Sequence, residues 1–228
     1  MTPLKVTEFL IYAALITAAT PILGGFMKNV FSGEKTFLDP ALRPVERLVY
    51  RLCRVDASRD QTWIEWTTSM LLVNAASLVL LYAFQRLQKS LPLNPNGLGP
   101  VSPDSSWNTA VSFTTNTNWQ GYSGESTMSH FTQMVGLAYH NFLSAATGIA
   151  IAVVIIRGIL LEKARGIGNF WFDCTRAMLW VLLPLSFAAA LFFVSRGVVQ
   201  NFRADTTVTT VEGETQKIPG GPFSSQEA

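Results

Sequence analysis

Four stretches of this chain are apolar for about as long as a helix needs to cross a bilayer, roughly 20 residues. They run from about Val6 to Met27, Trp63 to Phe84, Phe131 to Ile156 and Phe172 to Val194. Lipid offers no partner for an open backbone, so spans of this kind fold as helices. One such run is compatible with a buried core helix. Four of them, in a chain of 228 residues of which only 14% are charged, are not, since soluble domains average about 25%. The expected fold class is an all-α membrane protein with about four transmembrane helices. The third run, about 26 residues and so about 39 Å of helix, implies tilt or protrusion from the bilayer.

The 17 basic and 15 acidic residues are scattered rather than gathered into a stripe, which gives no reason to expect nucleic acid among the partners, whereas the four apolar runs make membrane lipid one. Their distribution between loops is uneven. Lys28, Lys35, Arg43, Arg47, Arg51, Arg54 and Arg59 lie between the first two runs, and Arg157, Lys163 and Arg165 between the third and fourth. The longer connections, about Gln85 to His130 and Ser195 to Ala228, carry only Arg86, Lys89, Arg196, Arg203 and Lys217. By the positive-inside rule the two basic loops share the cytoplasmic side, and the N-terminus and both polar loops face outward. Val45, Leu48, Val49 and Leu52 alternate with Glu46, Arg47 and Arg51 as in a short amphipathic helix at the inner membrane surface; a solvated basic loop is the alternative. A cleaved signal over Phe9 to Leu23 is disfavoured by Pro21. Cys53 and Cys174 are far apart in the chain and read as unpaired thiols.

The outward connection after the second run opens with turn residues, Leu91 to Pro95, Asn96-Gly97, Pro100 and Pro103. Asp104, Ser105 and Ser106 are candidate caps for a helix over Trp107 to Thr114, about eight residues and about 12 Å, too short to span. Thr115 to Glu125 follows, small, polar and nearly uncharged. Irregular backbone at membrane depth must be buried in protein or line a wet cavity, so this re-entrant segment is expected to line a pathway, with the strand 115–120 buried at that depth. The carboxyl end of the half-helix carries partial negative charge, and the carbonyls after it are available to a dehydrated cation. Neutral oxygens suit a large monovalent ion such as potassium better than a divalent one. Gly121 and Gly124 are expected to let the chain turn back outward. An ordinary polar loop capping the bundle is the competing reading.

Other polar residues suggest less. His130 and His140 form no metal pair and accompany no nucleophile elbow, so a membrane-embedded hydrolase or transferase would require them to converge with Glu125. Asn74, Asn141 and Asp173 are candidates for hydrogen bonds between helices, and Gly136 and Gly148 for close helix packing.

The segments LPLNP (91–95), NTAVSF (108–113), TNTNWQ (115–120), YSGE (122–125), NFLSAATGIA (141–150), QNF (200–202), TVEG (210–213) and SQEA (225–228) resemble the KdpA family, the potassium-binding subunits of the bacterial high-affinity Kdp potassium ATPase. That family in turn resembles the superfamily of potassium transporters in which four repeats of helix, pore helix, filter and helix surround one ion path. The resemblance implies an N-terminal transmembrane helix (1–28), a cytoplasmic basic loop (29–62), a first complete repeat (63–156), a cytoplasmic loop (157–171), the first helix of a second repeat (172–194) and an outer loop (195–228) ending before the second filter. The chain then corresponds to the first two-fifths or so of such a protein.

It also implies a division of labour. Thr115, Asn116, Thr117 and Asn118 would form one quarter of a potassium-binding filter, with Gln120, Gly121, Ser123 and Gly124 beside it and the Gln120 side chain tuning affinity. No residue is expected to be catalytic and no organic cofactor is implied. A family member binds external potassium and delivers it to the P-type ATPase of the complex, KdpB. The KdpC protein and a small single-span subunit complete the complex in the plasma membrane. Because one repeat offers one side of a filter, a truncated piece acting only in assembly is the alternative.

Overall fold

The computed structural model describes residues 3–160 and 166–228; Lys163 and Arg165, assigned above to the second basic loop, lie outside the described residues. Two compact units divide at residues 55 and 56. The first holds α1 (Pro3–Phe31) and α2 (Asp39–Cys53). The α1 helix is apolar on every side, whereas α2 has the amphipathic pattern expected of residues 45–52 and ends where Arg54 takes a left-handed backbone, φ 53°.

The second unit begins with α3 (Trp63–Leu87), whose N-terminus is closed by a reciprocal cap between Thr62 and Glu65. A 3₁₀ turn extends it to Ser90. Next come α4 (Pro103–Thr114) and a single turn, α5 (Gly124–Thr127). The third span opens in π-helical form over Thr132–Ala138 and continues as α6 (Tyr139–Leu160). The fourth runs through α7 (Phe170–Arg176), a π-helical turn (Ala177–Leu182) and α8 (Leu183–Ser195). Pro184, which has no N–H and whose ring crowds the carbonyl four residues back, sits just after that turn and accounts for it. The hairpin β1 (Thr206–Thr209) with β2 (Thr215–Ile218) and the turn α9 (Phe223–Gln226) occupy the last connection, which the sequence had suggested only as a loop.

Among the described residues four helices are long and apolar enough to cross a membrane, over Lys5–Phe31, Trp63–Ser90, Thr132–Leu160 and Phe170–Ser195. Three cover their expected runs, the third begins one residue after Phe131, and that third span is the longest at 29 residues. Their outward side chains, Leu72, Val79, Ile155, Ile159 and Phe187 among them, are exposed apolar groups of the kind lipid tolerates. The buried cluster of Leu81, Val101, Ala110, Phe113, Met128 and Leu137 lies where α4 enters between the second and third spans.

At one end of the second unit, residues 56–61 bond to 167–170: Gln61 N–H donates to Gly168 O at 2.9 Å, and the Asn169 amide donates to the carbonyls of Asp56 and Arg59, both at 3.0 Å. At the other end Gln88 ties Gly99, Thr127, Ser129 and Thr132 together, Asn96 pairs with Asp205, and His130 meets the Arg203 carbonyl at 3.0 Å. The two loops grouped by their basic charge thus meet at one end, and the two polar connections at the other.

Two expectations about helix detail are corrected and a third is met. Helix α4 starts at Pro103 rather than Trp107, because Ser102 is the cap and Pro103 suits the first turn; Asp104, Ser105 and Ser106 are already helical. A Cβ at Gly136 would stand 2.9 Å from Leu81 Cδ1, as close packing requires, but one at Gly148 would meet nothing within 4 Å. Asp173 bonds between helices as expected, accepting from both Arg157 nitrogens of α6 at 2.5 and 2.8 Å in a charged pair.

Candidate pore segment

Ser102 accepts a hydrogen bond from Ser105 N–H and Pro103 fills the first turn, so α4 is held at its start by its own sequence. Its inward face, Ser106, Thr109, Ala110, Ser112 and Phe113, is almost wholly buried. The helix is therefore a fixed pedestal about 18 Å long, and its carboxyl end projects the next segment.

That segment folds back on the helix end. Thr115 N–H donates to Val111 O (3.0 Å), Asn116 N–H to Phe113 O (3.3 Å), and Thr117 and Asn118 N–H both to Ser112 O (3.0 and 3.4 Å). The Thr117 hydroxyl adds a bond to Ser112 O at 3.1 Å, and the Ser112 hydroxyl donates to Trp119 O at 3.1 Å. Every peptide bond here is trans, so the C=O of each residue points opposite to the next residue's N–H. The carbonyls of Thr115, Asn116 and Thr117 consequently point away from the helix end. Among the described residues no donor bonds to a carbonyl of residues 115–118.

Two left-handed residues make this path possible, Asn116 at φ 58° and Asn118 at φ 51°. Asparagine is among the few non-glycine residues that tolerate this region. Gly121 and Gly124, expected to supply the turn, have no left-handed backbone. The sequence pointed to the asparagines as ligands and missed their conformational part. It also gave no sign of Ser112, whose carbonyl anchors four bonds from the segment, or of Ser144, whose hydroxyl lies 3.1 Å from Asn116 Oδ1.

Residues 115–120 are exposed on this chain, against the expectation that they would be buried. They contain no ionisable group, and no cluster of His, Cys, Asp or Glu able to hold a metal ion is present among the described residues. Beside them Gln120, Ser123, Gly124 and Glu125 line an open cavity of about 410 Å³. The Ser123 hydroxyl, 2.5 Å from Glu125, holds that carboxyl below its ordinary pKa, so it is anionic at neutral pH. Neither histidine lines that cavity: His130 is held by Arg203 and His140 by the Gly136 carbonyl at 2.9 Å. The three groups a hydrolase would need are not brought together.

The comparisons with known proteins identify the family. The model of the potassium-transporting ATPase A subunit family matches residues 10–228. The potassium-transporting ATPase potassium-binding subunit of Solibacter usitatus is 52% identical over 228 residues, covering 100% of this chain and 40% of that protein. The protein of the same name from Rhodospirillum centenum is 51% identical with the same coverage, and that from Koribacter versatilis 52% identical over 96% of the chain and 40% of the relative. The chain thus spans about two-fifths of the length of these relatives. With nearly its whole length matched and about half its residues identical, it belongs to the potassium-transporting ATPase A subunit family.

Proposed function

We propose that this chain forms one wall of the potassium-selective path of an ATP-driven uptake system, with Thr115, Asn116, Thr117 and Asn118 as one quarter of the filter. The observation that carries the reading is the set of carbonyls at residues 115–117, aimed off the carboxyl end of a helix wedged between two spanning helices and bonded to no donor among the described residues. Backbone oxygens presented in this way replace the hydration shell of a weakly hydrated cation. Three further walls come from repeats beyond this chain, or from other chains, and they cover the exposed strand. Potassium is cargo, taken from the outer side and handed to a partner that hydrolyses ATP.

In this reading residues 63–156 form a complete repeat and 172–194 open the next, after an N-terminal span (1–28). The ends joined by residues 56–61 and 167–170 face the cytoplasm of a bacterial plasma membrane, and the N-terminus lies outside. The P-type ATPase KdpB, the KdpC protein and a small single-span protein complete the assembly, and this chain itself is not catalytic. The relatives' printed names, potassium-binding subunits of a potassium-transporting ATPase, support this assignment.

The test is growth at low potassium of a strain lacking its own uptake systems, supplied with KdpB and KdpC. The chain is placed within a full-length potassium-binding subunit, either unaltered or with Gln120→Arg. A positive charge within roughly 10 Å of the ion costs about 1–2 kcal/mol at an effective dielectric near 20, so the variant's affinity falls on the order of tenfold. Unchanged affinity removes residue 120 from the path. Growth supported by the 228-residue chain alone would mean that one repeat assembles with copies of itself, and failure with the chain in the membrane would favour the assembly-piece reading of this polypeptide.

A further inference from the structure

Helix α2 carries two faces that the potassium path does not use. Val45, Leu48 and Leu52 form one apolar ridge, and they are 43%, 53% and 73% exposed. The spacing i, i+3, i+7 makes the ridge continuous along the helix. The acidic groups of α2 are occupied elsewhere: Asp39 holds Arg43 Nε at 2.7 Å, and Glu46, only 5% exposed, accepts the Tyr50 hydroxyl at 2.9 Å. Arg47, Arg51 and Arg54 are exposed, and no ion pair is formed by them among the described residues.

Both ends of α2 are tethered to spanning helices, by residues 32–38 after α1 and by residues 54–62 before α3. Even fully extended, the longer connector reaches only about 30 Å, so α2 stays at one face of the bilayer. A soluble surface would leave its ridge in water beside three uncompensated cations. A leaflet rich in anionic phospholipid supplies an acyl boundary for the ridge and phosphates for the guanidinium groups.

We propose that α2 lies in the plane of the membrane interface with Val45, Leu48 and Leu52 seated among lipid acyl chains, and that Arg47 and Arg51 bind the phosphates of anionic phospholipids. This inference does not depend on the potassium reading. Charge complementarity selects lipid over a second protein: the exposed cations gather beside the ridge with no exposed carboxylate of α2 to balance them.

The experiment uses the whole chain in vesicles of phosphatidylcholine, with and without added phosphatidylglycerol. Leu48→Cys, in a Cys53→Ser background that leaves the buried Cys174, carries an environment-sensitive bimane label. Quenching by nitroxide lipid is compared with quenching by aqueous iodide. A second label at Ile155→Cys, on a spanning helix, reports that each variant remains inserted. The expected result is quenching by nitroxide lipid with little by iodide, and a ratio of the two that rises about twofold when phosphatidylglycerol is present. In Arg47→Gln/Arg51→Gln that rise disappears while the Ile155 signal is unchanged. Strong iodide quenching would show a solvated helix, quenching by neither agent would show a face covered by protein, and lipid quenching indifferent to phosphatidylglycerol would remove the phosphate contact; each overturns the proposal.

Discussion

The hydroxyl of Ser144 stands 3.1 Å from the amide oxygen of Asn116 and 2.7 Å from the carbonyl of His140, sharing its one proton between the pore segment and the third spanning helix. It is the described side-chain bond from that helix to residues 115–118. Ser144→Ala frees Asn116, whose left-handed backbone then has one restraint fewer. With a hydrogen bond contributing about 1 kcal/mol, potassium affinity of a full-length protein carrying this change should fall about fivefold, while Ser144→Thr, which keeps the hydroxyl, stays near the parent. Equal affinities of the alanine and parent proteins in a potassium-binding titration would remove Ser144 from the support of the proposed filter.

The left-handed backbone at Asn118 separates conformation from side-chain chemistry. Glycine adopts φ near 51° without strain, whereas a β-branched residue there costs about 1–2 kcal/mol. Asn118→Gly should therefore preserve discrimination of potassium over sodium, and Asn118→Val should lower it about tenfold. Flux measured with each ion distinguishes the two, and equal losses would mean that the amide itself contacts the ion.

Gly136 and Gly148 were equivalent small residues in the sequence but are not in the structure. Leu81, fully buried, would meet an added methyl at residue 136 at 2.9 Å, so its side chain would have to shift within the core. Gly136→Ala should destabilise the protein by about 1–3 kcal/mol. Gly148→Ala, with open space around it, should be neutral or gain up to about 1 kcal/mol from helix propensity. Thermal denaturation in one detergent compares them, and a stable Gly136→Ala would contradict the packing of α3 against the third span.

Arg157 and Asp173 join neighbouring ends of the third and fourth spans, and Asp173 is fully buried. Gly168 bends between them at φ 93°, its missing side chain leaving space for the Arg157 guanidinium. Removing Arg157 takes from buried Asp173 the two bonds it accepts and leaves it only the nearby Arg176 charge: Arg157→Met should cost up to about 3–5 kcal/mol, and Arg157→Met with Asp173→Leu should recover part of it. Denaturation midpoints of the single and double variants decide this; equal losses in both would show that the pair is not coupled.

The sequence by itself determined that the chain must be helical and where it crosses lipid, because runs such as Trp63 to Phe84 have no other way to satisfy their backbone in a bilayer. It also determined which loops share a side, through lysine and arginine placement, and it marked residues 115–120 by their lack of charge. Element ends were less legible: Ser102-Pro103 begins α4 four residues before Trp107, since several serines there are equally able caps. Only the tertiary structure decided the direction of the carbonyls at 115–117, because that depends on the N–H bonds to the buried end of α4. Only it separated Gly136 from Gly148, paired Arg157 with Asp173 and brought Ser144 to Asn116, since each relation joins residues whose distance in sequence says nothing of their distance in space.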